Sequence, residues 1–272
     1  MGSVFSPYYA RARRRGTADP ENHCALNVAL YGDIGHRWSM TERGRRSISR
    51  SANQFRIGPS AMRWEDGDLV IDINEITVPI PSRLKGRVRL TPSAICGHQV
   101  ALDPQGLHIW RPVAPVSRIS AAFENPKLSW SGAGYHDSNW GAVPLEDSFE
   151  SWVWSRAATR HGAAIIYDTV LKGGKSVGFG LDIAADGRVR EHPAPPRQEM
   201  PTTFWRMARH MRASRPFRIT SLLEDSPFYS RSLLRLATED GEADAFHESL
   251  SLNRFQNPIV QLMLPFRMPR RG

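Results

Sequence analysis

The sequence predicts an all-β protein made of antiparallel meanders, and three observations carry that expectation. Apolar and polar residues alternate with a period of two over 69–74, 87–90 and 107–110, as strands with one buried face do. Tight-turn pairs punctuate the chain at Asp66-Gly67, Gly173-Gly174, Asp186-Gly187 and Asp240-Gly241, where glycine supplies the positive φ that hairpins require. No long stretch with a helical period competes with these patterns.

Taken in chain order, strands are expected near 24–32, 36–41, 69–74, 87–90, 107–110, 118–123 and 127–131. They resume near 151–157, where Trp152 and Trp154 alternate with Val153 to form an apolar wall, and at 163–171 and 176–184. The segment 193–201 holds Pro193, Pro195, Pro196 and Pro201, which lack amide donors and so read as a loop. Further strands are expected near 215–222, 231–238, 243–252 and 258–266. So many short strands, about ten residues apart, suit sheets closed as barrels or packed as sandwiches. Two barrel-like domains are expected, 1–147 and 148–272.

Composition narrows the function classes. With 272 residues, 40% hydrophobic and 23% charged, the chain has the balance of a globular protein with a sizeable core. Cys24 and Cys96 have no CxxC spacing, so neither a zinc site nor a disulfide framework is expected, and a reducing compartment is. No apolar run approaches the roughly 18–20 residues of a membrane-spanning helix. The start places apolar residues before Arg11, Arg13, Arg14 and Arg15, the reverse of a secretory signal. The 36 Lys and Arg outnumber 27 Asp and Glu, for a net charge of +9. Further arginines cluster at Arg43, Arg45 and Arg46 and at Arg267, Arg270 and Arg271. An anionic lipid surface is the favoured partner; no helix-turn-helix, RNP-like strand or zinc finger supports nucleic acid.

One segment stands out, residues 129–141, in which glycines frame Tyr135, His136, Asp137, Ser138, Asn139 and Trp140. If it is extended, Tyr135, Asp137 and Asn139 share one face; upstream, His108 and Trp110 share a face of 107–111. The plain alternative is that Asp137 caps a turn and His108 and Trp110 merely satisfy core hydrogen bonds. There is no phosphate-binding glycine loop, no GxSxG elbow and no HExxH helix. Neither a metal nor a cofactor is expected.

Four stretches together, Gly2 to Ala10 (GSVFSPYYA), Asn22 to Gly32 (NHCALNVALYG), Trp38 to Arg43 (WSMTER) and Tyr135 to Gly141 (YHDSNWG), resemble the acyclic carotenoid 1,2-hydratase family, the hydroxyneurosporene synthases of phototrophic bacteria. The resemblance runs from Gly2 to at least Asp168 and weakens past the proline-rich segment. It implies two lipocalin-like antiparallel β-barrels. Family members often carry a further strand-like stretch before the segment that opens here, so a first strand is expected to be missing and the first barrel to close differently.

The resemblance also implies a reaction: addition of water across the terminal C1–C2 double bond of an acyclic carotene such as neurosporene or lycopene, with no redox cofactor. An alkene is a very weak base, so a strong acid that stays protonated near neutral pH is needed. A carboxylic acid in an apolar wall meets this need because burial disfavours the carboxylate. The family's active-site residues map onto His108, Trp110, Tyr135 and Asp137. In this reading Asp137 is the acid, Tyr135 and Trp110 offer ring faces to the tertiary cation, and His108 takes the proton from the attacking water. Acid and base could be exchanged between Asp137 and His108. Asn139, Trp140 and Trp38 are the candidate substrate-binding residues. The substrate lives in a bilayer, so a cytoplasmic protein held peripherally at the inner, intracytoplasmic membrane is expected. The alternatives are a non-catalytic carotenoid carrier and a cofactor-free pericyclase or isomerase on the same scaffold.

Overall fold

Alternation becomes strand almost wherever it is visible. The computed structural model describes residues 4–32, 35–238 and 241–271, so Gly2 and Ser3 of the opening stretch and Asp240 of the fourth turn pair lie outside the described residues. The chain forms two units, each assembled from separated segments. The first comprises 1–91, 118–132 and 261–272, and the second 92–117 and 133–260. The expected division near residue 147 falls inside the second unit.

The first unit opens with helix α1 (Pro7–Arg14), which the period-two reading did not foresee. Ser6 caps it, accepting from the Tyr9 amide at 2.9 Å, and Pro7 occupies the first turn, where no amide donor is needed. Strands β1 (Cys24–Leu30) and β2 (Arg37–Arg43) pair antiparallel, and Arg270–Arg271 adds a short parallel edge to β2. A meander follows: β3 (Ile48–Arg50), β4 (Gln54–Ile57), β5 (Ser60–Glu65), β6 (Asp68–Ile76) and β7 (Arg83–Pro92). Asp66 and Gly67 turn the β5–β6 hairpin with φ of 51° and 85°, as the sequence predicts.

The core of this unit gathers Val28, Leu30, Ile73, Leu84, Ala121 and Phe123. Gly86 faces the Phe123 ring so closely that a Cβ there would lie 2.6 Å from it. Beside the core lies a buried polar network. The Glu42 carboxylate, fully buried, accepts from the Ser6 hydroxyl and the Arg270 guanidinium and meets His23 Nδ1 at 2.8 Å. Next to it, buried Arg43 donates to Glu75 at 2.7 Å, and Ser60 donates to the same carboxylate at 2.6 Å.

Strands β8 (Val100–Ala101), β9 (His108–Asn125) and β10 (Leu128–Gly141) come next. The two short strands expected near 107–110 and 118–123 are one 18-residue strand, β9, which gives 108–117 to the second unit and 118–125 to the first. Likewise β10 absorbs 127–131 and the glycine-framed segment, without a break at those glycines. After the short helix α2 (Leu145–Ser148) the second unit adds β11 (Phe149–Thr159), β12 (Gly162–Leu171), β13 (Ser176–Ala184) and β14 (Val189–Pro193). The proline-rich segment holds a short hairpin rather than only a loop, β15 (Arg197–Met200) with β16 (Arg209–Arg212). That hairpin forms its own two-stranded sheet, while Pro193 ends β14 at the edge of the main sheet, a position where strands tolerate proline. Then come β17 (Phe217–Asp225), β18 (Tyr229–Thr238) and β19 (Gly241–Ser251). The main sheet is antiparallel throughout, ordered β14-β13-β12-β11-β19-β18-β17.

One face of this sheet packs Ala157, Leu234, Ala243 and Ala245 against Met200 and Met211 of the hairpin. There Asp168, nearly inaccessible, meets His210 Nε2 at 2.7 Å and Arg212 Nε at 2.8 Å. After α3 (Leu252–Phe255), the strand expected at 258–266 is a helix, α4 (Pro258–Arg267). A short apolar run does not separate strand from helix by periodicity. Two local signals decide it: Pro258 in the first turn, and the Asn257 side chain accepting from the Ile259 amide at 2.9 Å.

Glu42→Gln should destabilise the fold by about 3–5 kcal/mol, because it removes the buried carboxylate on which the half-buried Arg270 guanidinium and the Ser6 hydroxyl converge. Thermal unfolding of the variant checks this, and unchanged stability would show the network to be dispensable.

Candidate active site

The long strands β9 and β10 bring the four motif residues into the second unit by simple parity. On β9, His108 and Trp110 are two residues apart and both are buried. On β10, Tyr135 and Asp137 are likewise two apart, and their side chains touch. The Trp110 indole N–H donates to Asp137 Oδ2 at 2.8 Å, and the Tyr135 hydroxyl donates to the same oxygen at 2.9 Å.

Around this trio stands an aromatic wall from the main sheet. Trp154 pairs with Tyr167 across β11–β12, and Tyr167 with Phe179 across β12–β13, so the three rings share one face. Trp110 lies 5.4 Å from Tyr167 and 6.1 Å from Phe179, ring centre to ring centre. Tyr135 lies 5.3 Å from Trp154, and Trp152 lies 6.3 Å from Tyr167. The register also puts Glu248 of β19 opposite Trp154, on the same face. Glu248 accepts from Arg231 at 2.8 Å, and Arg231 reaches Glu224 at 3.6 Å, which balances its charge locally.

Burial sets the electrostatics. Loss of water pushes the Asp137 carboxyl above the usual carboxylate range, against the pull of the two donors, and the negative charge of Glu248 adds to the rise. Burial also drives the Tyr135 and Tyr167 phenols well above their ordinary value, with the charge of Asp137 as the next cause, so both stay neutral phenols. Arg156 lies behind Tyr135, its guanidinium carbon 5.4 Å from the ring centre, and donates to the carbonyls of Pro115 and Gly134 at 3.2 Å.

His108 has a different neighbourhood. Its Nδ1 faces Asp103 Oδ2 at 3.1 Å and its Nε2 faces the Val143 carbonyl at 3.1 Å. Asp103 also accepts from the backbone amides of Gln105, Leu107 and His108, and these bonds hold its carboxyl below the usual range despite burial. Gly141 makes room for the imidazole: a Cβ there would come within 2.5 Å of the ring. Both ring nitrogens therefore face oxygen acceptors, and neither is aimed at Asp137.

Of the remaining candidates, His136 is half-buried, and burial lowers its pKa. Asn139 and Trp140 are exposed at the end of β10. Trp38 lies in the first unit, donating its indole N–H to the Arg267 carbonyl at 3.2 Å with that residue's guanidinium 4.7 Å over the ring. Sequence reasoning missed Tyr167, Phe179 and Glu248, because their face depends on cross-strand register, which one strand's alternation does not reveal. Among the described residues, no group of three or more His, Cys, Asp or Glu side chains is placed to hold a metal ion.

The family model for the carotenoid hydratase CrtC matches residues 1–272. The chain belongs to this family. It is 52% identical to the acyclic carotenoid 1,2-hydratase of Thiocapsa roseopersicina over 275 residues, covering all of this chain and 68% of that protein. It is 41% identical to the enzyme of that name from Cereibacter sphaeroides, covering all of this chain and 96% of that protein. Among solved structures, a putative AttH protein from Nitrosomonas europaea shares the fold, with a TM-score of 0.61 at 14% identity over 85% of this chain and 80% of that one. Membership in the carotenoid hydratase family agrees with the resemblance carried by the motif stretches, and it extends across the second half of the chain, where those stretches are absent.

Trp110→Phe and Tyr135→Phe should each raise the Asp137 pKa further, since each removes a donor that favours the carboxylate. Infrared difference titration against Asp137→Asn isolates the carboxyl band. A fall in either variant would contradict the geometry.

Proposed function

We propose that this member of the carotenoid hydratase family adds water across the terminal C1–C2 double bond of an acyclic carotene, neurosporene or lycopene, on a scaffold of two lipocalin-like barrel units. The observation that carries the reading is the Asp137 carboxyl, buried against neutral donors and aromatic rings rather than against a cation.

The reaction follows from that environment. Two donors converge on Oδ2, so the acid proton of Asp137 belongs on Oδ1, ready for delivery. Transfer to C2 breaks the double bond and leaves a tertiary cation at C1. The faces of Trp110, Tyr135 and Tyr167 can stabilise such a cation by about 2 kcal/mol or more in a desolvated site. Water then bonds to C1 and releases a proton. Asp137, now a carboxylate, can accept it and regain its starting form, so no redox partner enters the balance. Both nitrogens of His108 already face acceptors, which favours a positioning role for it over that of the base. The carotene reaches the enzyme from a membrane, and peripheral contact with an anionic surface completes the reading.

Asp137→Asn should keep the fold, because a neutral amide replaces a neutral acid of similar shape, while hydration falls by about 10²–10⁴-fold. Incorporation of labelled oxygen from water into purified product measures this, and near-normal turnover would remove Asp137 as the acid. In the same assay His108→Ala should lower hydration and solvent deuterium exchange at C2 by the same factor, whereas loss of a base would spare exchange.

Turnover should also depend on pH in one direction. The acid form is active and the Asp137 pKa is raised, so activity is full below that raised value and is lost as pH rises through it. Stability follows the same sign, since deprotonation would strand a charge in the wall. A rate profile that instead climbs through this range would mean the carboxylate is the working form.

A further inference from the structure

Three of the arginines expected to meet a membrane are occupied elsewhere. Arg43 is buried on Glu75, Arg45 is held by Asp19 and Glu21, and Arg270 is held by Glu42. A different feature faces outward without a cover. On α4, Ile259, Leu262, Met263 and Phe266 are 69%, 73%, 38% and 77% exposed. Their spacing of three, four and seven puts them on one side of the helix, while Val260 turns inward.

We propose that this face of α4 is the surface by which the protein inserts into the interfacial layer of an anionic lipid bilayer; the proposal rests on the reading that the substrate is a membrane-dissolved hydrocarbon. Charge favours this occupant. From Leu252 to Gly272 the sequence has no acidic residue and four arginines, of which Arg267 closes the helix and Arg271 is exposed. An apolar helical face with basic flanks and no competing acid is the pattern that lies in a headgroup layer, its apolar side about 5–10 Å deep. Within the second unit a further apolar pair points the same way chemically: Phe204, 87% exposed, and Trp205, 38% exposed, on a loop tied down by Arg254, which donates to the Trp205 carbonyl at 2.9 Å. Tryptophan favours this interfacial zone. A second protein copy fits the helix less well. Four side chains on a ten-residue helix offer roughly 500 Å², short of the ~800 Å² per partner of a standard stable interface.

The test uses the purified full chain and vesicles of phosphatidylcholine with phosphatidylglycerol. The wild type should float with the vesicles, and the double variant Leu262→Ser, Phe266→Ser should lose partitioning by about tenfold or more while its thermal unfolding stays unchanged, since both residues are exposed. Because Cys24 and Cys96 are buried, an environment-sensitive dye on Leu262→Cys should label selectively and shift to the blue on vesicles. A labelled chain that floats while its dye remains in water would overturn the assignment of α4. So would a wild-type dimer, seen by sedimentation without lipid and abolished in the double variant, which would make a second copy the occupant. A wild type that does not float would sink the membrane contact as well. Hydration of carotene dissolved in detergent micelles, run in parallel, separates these failures from failure of the functional reading: the double variant should keep it.

Discussion

A carboxyl group that has lost its water takes its acidity from its partners, and the second unit contains three different sets of them. Asp168 finds the Arg212 cation and the His210 ring, and Asp103 finds three backbone amides and His108; both are held below the usual range even though burial is the largest single influence on each. Asp137 loses water without gaining charge: it has only two neutral donors, Trp110 and Tyr135, and a negative neighbour in Glu248, so desolvation wins and its pKa rises. Partners differ among the three carboxyls as well as depth. Neither neighbour brings a positive charge to the carboxyl.

The aromatic wall adds no positive charge either. Tyr167, Trp154 and Phe179 exclude water without offering charge, and their alignment follows from the antiparallel register of β11, β12 and β13. The two cations nearby are kept from serving Asp137. Arg231 is held between Glu248 and Glu224, and Arg156 turns to the carbonyls of Pro115 and Gly134 behind Tyr135. An arginine on Asp137 would supply the counter-charge and pull its pKa back down. The same balance keeps Tyr135 a neutral phenol that donates rather than a phenolate that repels.

The all-β class was legible because alternation is local, and so was the pairing of His108 with Trp110 and of Tyr135 with Asp137, two residues apart on single strands. What one strand cannot show is its neighbour's register, which is why Tyr167 and Glu248 were not found from the sequence although they complete the wall. The base role expected of His108 rests on the resemblance and on imidazole chemistry, and its surroundings lie outside the motif. The side chain that alters it, Asp103, sits in the turn before β9, and the carbonyl of Val143 lies beyond β10, neither of them part of the motif. Helix α4 escaped notice because its apolar run satisfies strand and helix patterns alike, and only Pro258 and Asn257 separate them.

The stretches that carry the family resemblance divide into two physical tasks. Tyr135 to Gly141 supplies the Tyr135–Asp137 pair and, through the bare Gly141, the space for His108. The other stretches meet in the first unit: Ser6 from the first and His23 from the second converge on the buried carboxylate of Glu42 from the third, closed by Arg270 near the other end of the chain. A buried charge tolerates the loss of no single partner, so each of these residues is constrained by the others without touching a substrate. That explains how text shared with a family of enzymes can extend well outside an active site. It also warns against reading Ser6, His23 and Glu42, a hydroxyl, an imidazole and a carboxylate in contact, as a nucleophile and its base. The hydroxyl is bonded to the carboxylate rather than to the imidazole, and Arg270 holds that carboxylate in place, so the arrangement has the connectivity of a structural clamp and lacks that of a proton relay.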